Sequence, residues 1–256
     1  MGESPLHVWL EQGEQLLRLR LFRPKANIID AAMIAALKDA FDKNLSNARL
    51  RAVLLDAEGP HFSFGASVEE HLPEACAEML SAMHSLIWQM LEYEVPILVA
   101  IHGQCLGGGL EVAAAGHMIF AAPNASLGQP EVRLGVFASP ASCLLPEKIG
   151  QSRAEDLLLS GRSIDAEEAY RIGLVNQVAE DPQQAALDYF QEFLAPLSAS
   201  TVKFAVRAAR ITVNERIKIK LDAVKKMYLE ELMAGHDAVE GLNAFLEKRP
   251  AVWEDR

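Results

Sequence analysis

Three short, uninterrupted apolar runs, Ala52-Val-Leu-Leu55, Pro96-Ile-Leu-Val-Ala-Ile101 and Met118-Ile-Phe-Ala121, are separated by stretches with helical spacing. Runs of this length without polar alternation fit strands buried on both faces, which arise when helices cover both sides of a largely parallel sheet. That constraint selects a layered α/β core. Upstream, Val8-Trp-Leu10 and Leu16 to Leu21 flank Glu11-Gln-Gly-Glu14 and read as a β-hairpin. Asp30 is placed to cap a helix in which Met33, Ile34, Leu37, Ala40 and Phe41 recur at helical spacing. A second, long helical segment ends near Tyr93, and Leu110 to Ala115 form a short helix opening from glycines.

From Asp181 onward the chain reads as almost wholly helical, with residues 200–247 as a separate layer. Within it, Arg207 to Lys226 interleave basic residues with Ile211, Val213, Ile217, Ile219 and Val224, as an amphipathic helix pair would. No repeat, low-complexity segment or linker divides the chain, so the expected organisation is a core over 1–197 with a docked helical extension over 198–256.

Composition narrows the function classes. A net charge of −11 without a lysine- or arginine-rich run disfavours nucleic acid as a partner. The three cysteines, Cys76, Cys105 and Cys143, leave an odd count and no C-x-x-C pair, the pattern of reduced intracellular thiols. Glu3, Glu11, Glu14, Arg18 and Arg20 interrupt the first thirty residues, so no secretion signal is expected and the chain is assigned to the cytoplasm. The longest apolar stretch, Val95 to Ile101, falls far short of the roughly 20 residues that cross a bilayer.

Chemistry concentrates in two loops and two acids. Phe62-Ser-Phe-Gly-Ala66 and Gly107-Gly-Gly109 are small-residue turns whose backbone N–H groups can approach a carbonyl oxygen closely, and Glu111 and Glu131 follow them. A carbonyl that gains negative charge in a reaction requires such donors, and two carboxyls beside it can divide proton transfer. The glycines miss both the P-loop and the dinucleotide spacing. Leu110 and Val112 flank Glu111, so its carboxyl is expected to be buried or to face a cavity, which raises its pKa. His61 and His102 border the loops without a metal-ligand pattern, so no metal is expected, and Cys105 and Ser63 lack an adjacent base.

These loops resemble the two signature segments of the crotonase, or enoyl-CoA hydratase/isomerase, superfamily. The likeness extends from Arg23-Pro-Lys-Ala-Asn27 through Gln129-Pro-Glu131 to Glu240-Gly-Leu-Asn-Ala-Phe-Leu-Glu-Lys-Arg249. It implies a ββα spiral core with a C-terminal helical trimerisation layer, assembled as a trimer or a dimer of trimers. By the same resemblance Ala66 and Gly108 would supply the oxyanion hole, Glu111 and Glu131 would be the catalytic acids, and coenzyme A would be part of the substrate, with no separate cofactor. Lys25 and Ala26 would meet the CoA portion, with Lys248 or Arg249 as further candidates. Phe62, Phe64, Ser67, Phe137 and Ser139 would border the acyl group.

Ser67 stands where hydratases of the superfamily usually have Asp, and Val136-Phe-Ala-Ser-Pro-Ala-Ser-Cys143 replaces a glycine-rich segment. These departures resemble superfamily members that add water to a cyclic dienoyl-CoA in a 1,4 sense. Alternatives are a hydratase or isomerase for another acyl-CoA, separable by how many glutamates the activity needs, and a non-catalytic scaffold or RNA-binding member, separable by salt-sensitive RNA association without turnover.

Overall fold

The hairpin opens the main sheet. In the computed structural model, which describes residues 4–23 and 25–256, β1 (Leu6–Glu11) pairs antiparallel with β2 (Leu16–Leu21), Leu6 opposite Leu21. Glu3, and Pro24 of the Arg23–Asn27 segment, lie outside the described residues. Asp30 caps α1 (Ala31–Asn44) by accepting from the Met33 amide at 2.9 Å, and Met33, Ile34, Leu37, Ala40 and Phe41 face the core.

Every residue of β3 (Ala52–Ala57) is buried, including Asp56. That carboxylate is neutralised by Arg18 and Arg20 from β2, each at 2.6 Å, which the parallel β2–β3 register places beside it. A buried acid of this kind is tolerated only when paired.

Helix α2 (Cys76–Glu92) crosses to β4 (Ile97–Ile101), which runs parallel to β3 and to β6 (Met118–Ala121). Between β4 and β6 the chain makes β5 (Gln104–Leu106) and α3 (Gly108–Ala115). After β6, β7 (Ser126–Gly128) pairs parallel with β5. A 3-10 turn (Pro130–Leu134), α4 (Ser139–Ile149) and α5 (Gln151–Ser160) lead to β8 (Ser163–Asp165), antiparallel to β7. Helix α6 (Ala166–Arg171) then leads to β9 (Gln177–Val178), which pairs with β6. The result is a six-stranded sheet ordered β1-β2-β3-β4-β6-β9 and a three-stranded sheet ordered β5-β7-β8.

Helix α7 (Pro182–Tyr189) covers one face of the main sheet through Ala186, followed by the π turn Phe190–Leu194, whose Phe190 packs with Leu16, Leu54, Leu98 and Phe120. The basic stretch expected as a helix pair is one unbroken helix, α8 (Ala199–Glu230), because no glycine or proline interrupts it. It lies against α2 and α4. Helix α9 (His236–Leu246) follows, and residues 250–256 have no regular structure. They fold back instead, with the Glu254 and Asp255 amides donating to the Asp237 carboxylate.

Candidate active site

Two neighbours hold the Phe62–Ala66 loop. On one side Ser63 joins β5, its N–H donating to Gln104 O at 3.0 Å and its carbonyl accepting from Leu106 N at 3.0 Å. On the other, Phe64 N donates to Ala26 O and Ile29 N donates to Gly65 O, both at 2.9 Å. The buried Ser63 hydroxyl donates to Asn27 O at 2.8 Å and accepts from Gly65 N at 3.1 Å, fixing the turn from inside. Because β5 runs directly into α3, this pairing brings Ala66 beside the first turn of that helix. A side chain added to Gly108 would meet the Ala66 nitrogen at 3.0 Å.

Neither Ala66 N–H nor Gly108 N–H has an acceptor among the described residues. Gly108 is the first residue of α3, so its amide has no intrahelical partner and sits at the positive end of the helix dipole. At the opposite end Lys148 and Arg210 donate to the carbonyls of Ala115 and Gly116. Cations there satisfy the last carbonyls and leave the N-terminal amides as the unengaged pole.

Glu111 leaves the first turn of α3, is buried, and accepts from Ala141 N at 3.0 Å. Glu131 rides on the 3-10 turn that Pro130 starts, and its carboxyl rests directly on Gly107. Gly107 has φ 48° and ψ −127°, a conformation open to glycine, and a Cβ there would collide with the Glu131 oxygen. Gln129, fully enclosed, holds the same carboxyl. With its amide nitrogen facing Glu131, it donates to Oε1 and Oε2 at 3.2 and 3.0 Å. Burial raises the pKa of both glutamates, and the charge of Glu131 raises that of Glu111 further. The pair therefore favours a state with one proton between two carboxyls, one able to accept and the other to donate.

Two adjacent cavities share Ala66, His71 and Glu131. The outer one, about 590 Å³, is bordered by Phe64, Ser67, Gly107 and Glu131, and by Leu242 and Phe245 of α9. The inner one, about 20 Å³, is bordered by Gly108, Glu111, Glu131, Phe137, Ser139 and Tyr228.

The sequence expectations thus meet at one place for Ala66, Gly108, Glu111, Glu131, Phe64, Ser67, Phe137 and Ser139. Phe62 does not join them. Its ring is enclosed in the hydrophobic core, so it packs the loop from behind. Lys25 and Ala26 border neither cavity. They sit just before Ile28, which does, and Lys25 is exposed at φ 110°. Arg249 is taken up by Glu240 and Glu247, so it is not a free cation. His102 Nε2 donates to Gly59 O, His61 accepts from Gln104 N at 3.1 Å, and Cys105 is buried in the core; all three are structural.

Tyr228, His71, His84 and Arg133 carry no motif or spacing that marks them in the sequence. Tyr228 reaches the site from the last turn of α8, and His84 backs Ser139 at 2.8 Å from α2. His71 Nδ1 donates to Ser67 O at 2.7 Å while bordering both cavities, and Arg133 brings a cation to the outer one. Among the described residues no three His, Cys, Asp or Glu gather as a metal-binding group.

The model of the enoyl-CoA hydratase/isomerase family matches residues 11–256. The chain belongs to this family. It is 67% identical over 255 residues to cyclohexa-1,5-dienecarbonyl-CoA hydratase of Thauera aromatica, covering 100% of this chain and 99% of that one. It is 32% identical to carnitinyl-CoA dehydratase of Salmonella enteritidis across the full length of both. Among solved structures, an enoyl-CoA hydratase/isomerase from Pseudoalteromonas atlantica superposes with a TM-score of 0.84 at 30% identity, covering 97% of this chain and 99% of that chain. The crotonase fold expected from the loop motifs is therefore the fold of this family member, down to the C-terminal helical region.

Proposed function

We propose that this chain is a hydro-lyase converting cyclohexa-1,5-diene-1-carbonyl-CoA to 6-hydroxycyclohex-1-ene-1-carbonyl-CoA. The observation that carries the reading is the convergence of two unengaged amides, Ala66 and Gly108, with two carboxyls, Glu111 and Glu131, on adjacent cavities. The full-length likeness to the Thauera aromatica hydratase supports this choice of acyl group.

In this reading the thioester oxygen takes hydrogen bonds from Ala66 N–H and Gly108 N–H. The ionised glutamate removes a proton from water as the water oxygen bonds to a ring carbon β to the thioester. The electrons move through the ring onto the thioester oxygen, where the two amides meet the developing charge in a low-dielectric setting. The protonated glutamate then delivers its proton to the far end of the diene. The carboxyl pair finishes with the same number of protons, exchanged between its members, so the step consumes only water and needs no cofactor.

Coenzyme A would enter through the outer cavity, whose 590 Å³ accepts a ring and part of the pantetheine arm. Arg133, which borders this cavity, and the exposed Lys25, which lies three residues before Ile28 of its lining, are the candidates to receive its phosphates. Assembly as a trimer or dimer of trimers is supported by Phe204, Ile211 and Ile219, exposed at helical spacing along α8. A cytoplasmic location fits the cysteine usage.

The test incubates purified protein with the cyclic dienoyl-CoA and follows ultraviolet absorbance with liquid chromatography and mass spectrometry. Gain of one water with loss of the diene chromophore is expected. An unchanged thioester would refute the proposal, and faster hydration of crotonyl-CoA would replace the ring with a straight chain.

A further inference from the structure

The inner cavity has a feature that carboxylates and amides do not explain. Tyr228 is 1% exposed, and its hydroxyl has no hydrogen-bond partner among the described residues. A buried phenol left this way costs about 1–3 kcal/mol, so an isolated structural tyrosine would be replaced without loss by phenylalanine. Its ring is held by Phe137 at 5.1 Å, edge to face, and by Cys76, Met79 and Leu80 of α2. That packing fixes the phenol at the border of the cavity that also holds both glutamates.

Ser139 faces the same space. Its hydroxyl is tied to His84 Nε2 at 2.8 Å, and His84 is buried and held neutral, its pKa pushed down to about 4 first by burial and then by Lys225. The cavity measures about 20 Å³ and is bordered by five polar side chains: His71, Glu111, Glu131, Ser139 and Tyr228. One bound water needs about 10–15 Å³ and two to four polar partners. The space is too small for a six-membered ring, so the ring belongs outside it.

Resting on the hydratase reading above, we propose that the inner cavity is the seat of the water that adds to the ring, and that Tyr228 and the His84-backed Ser139 are its positioning groups. The ionised glutamate accepts one of the water's protons and Ser139 Oγ, whose own O–H is turned to His84, accepts the other, while the phenol O–H donates to one lone pair and leaves the second facing the ring. Such a site holds the nucleophile at one end of a line that the thioester oxygen, bound at Ala66 and Gly108, defines at the other. Burial and the two carboxyls raise the Tyr228 pKa, so the phenol stays a neutral donor through the working pH range. Orientation of this kind appears in kcat more than in KM, because a misplaced nucleophile slows the step without loosening the thioester.

The experiment compares wild type, Tyr228→Phe and Ser139→Ala for hydration of the cyclic dienoyl-CoA, with thermal unfolding of each. Tyr228→Phe is expected to unfold at the same or a higher temperature, since the hydroxyl it removes has no protein partner. Its kcat is expected to fall about 10- to 100-fold with KM within about threefold. Ser139→Ala is expected to lose about tenfold in kcat with its KM also held. An active wild type alongside a Tyr228→Phe enzyme within twofold of its kcat would overturn the inference alone. Should Tyr228→Phe unfold early, an unchanged kcat in Ser139→Ala overturns it equally. A wild type that leaves the diene untouched removes the hydratase reading and the water site with it.

Discussion

Replacing Gly107 by alanine tests how the backbone and Glu131 depend on each other. The residue sits at φ 48° and ψ −127°, where a side chain costs about 1–3 kcal/mol in backbone strain. The added Cβ also overlaps the Glu131 carboxyl, which must retreat on the order of 1 Å to restore ordinary contact. A displacement of that size at a reacting group costs about 10²-fold in rate. Gly107→Ala is therefore expected to lose about 1–3 kcal/mol in denaturant unfolding and about 100-fold in kcat. The assay that isolates the cause is a double-mutant cycle with Glu131→Gln. If the loss acts through the carboxyl, Gly107→Ala should cost less than about threefold once Glu131 is already neutralised. A fully additive loss, or a single mutant within threefold of wild type, would refute the reasoning.

Three further outcomes follow from the same geometry. Because the folded-state pKa of Glu111 is raised, the native state keeps a proton that the unfolded chain has released, so stability falls as pH rises above the ordinary carboxyl range. Glu111→Gln should then gain stability over wild type at pH 8 and little at pH 4, measured by urea unfolding; an equal difference at both pH values would contradict this. Gln129→Leu removes the amide nitrogen that donates to the Glu131 carboxylate, so the limb of the pH–rate profile set by that group should move to higher pH with about a tenfold loss in kcat. Asp56→Ala leaves the buried Arg18 only the half-exposed Glu11 as a carboxylate partner and should destabilise the fold by about 3–5 kcal/mol without altering KM in the remaining folded enzyme, as read by urea unfolding and steady-state kinetics.

The parts of this fold that the sequence revealed are those whose physics is local. β3, β4 and β6 are buried on both faces and so read as continuous apolar runs, and Asp30 announced α1 by its own cap. The donor loops were visible because glycine and small residues are what close backbone approach requires. The sheet β5-β7-β8 was not, since three-residue strands carry no measurable period. Charge obscured α8: alternating basic and apolar residues suggested a break that no glycine or proline supplies.

Within the site, Glu111 was legible from its apolar neighbours on the chain. Glu131 depended on the resemblance, because what buries it, Gly107 and Gln129, acts through folding. Tyr228 and His84 left no trace. Each lies on a helix at an ordinary core position, and only packing shows that one faces the carboxyls and the other holds Ser139. Phe62 shows the converse, a motif residue whose contribution is to pack the loop.

In the proposed mechanism, amides from two separate turns grip one thioester oxygen. Isotope-edited vibrational spectroscopy of a bound thioester, labelled with ¹³C at its carbonyl, reads that grip directly, since hydrogen bonds weaken the C=O bond and lower its stretch. The expected frequency lies well below that of the same thioester in water. A band at or above the aqueous position would contradict it.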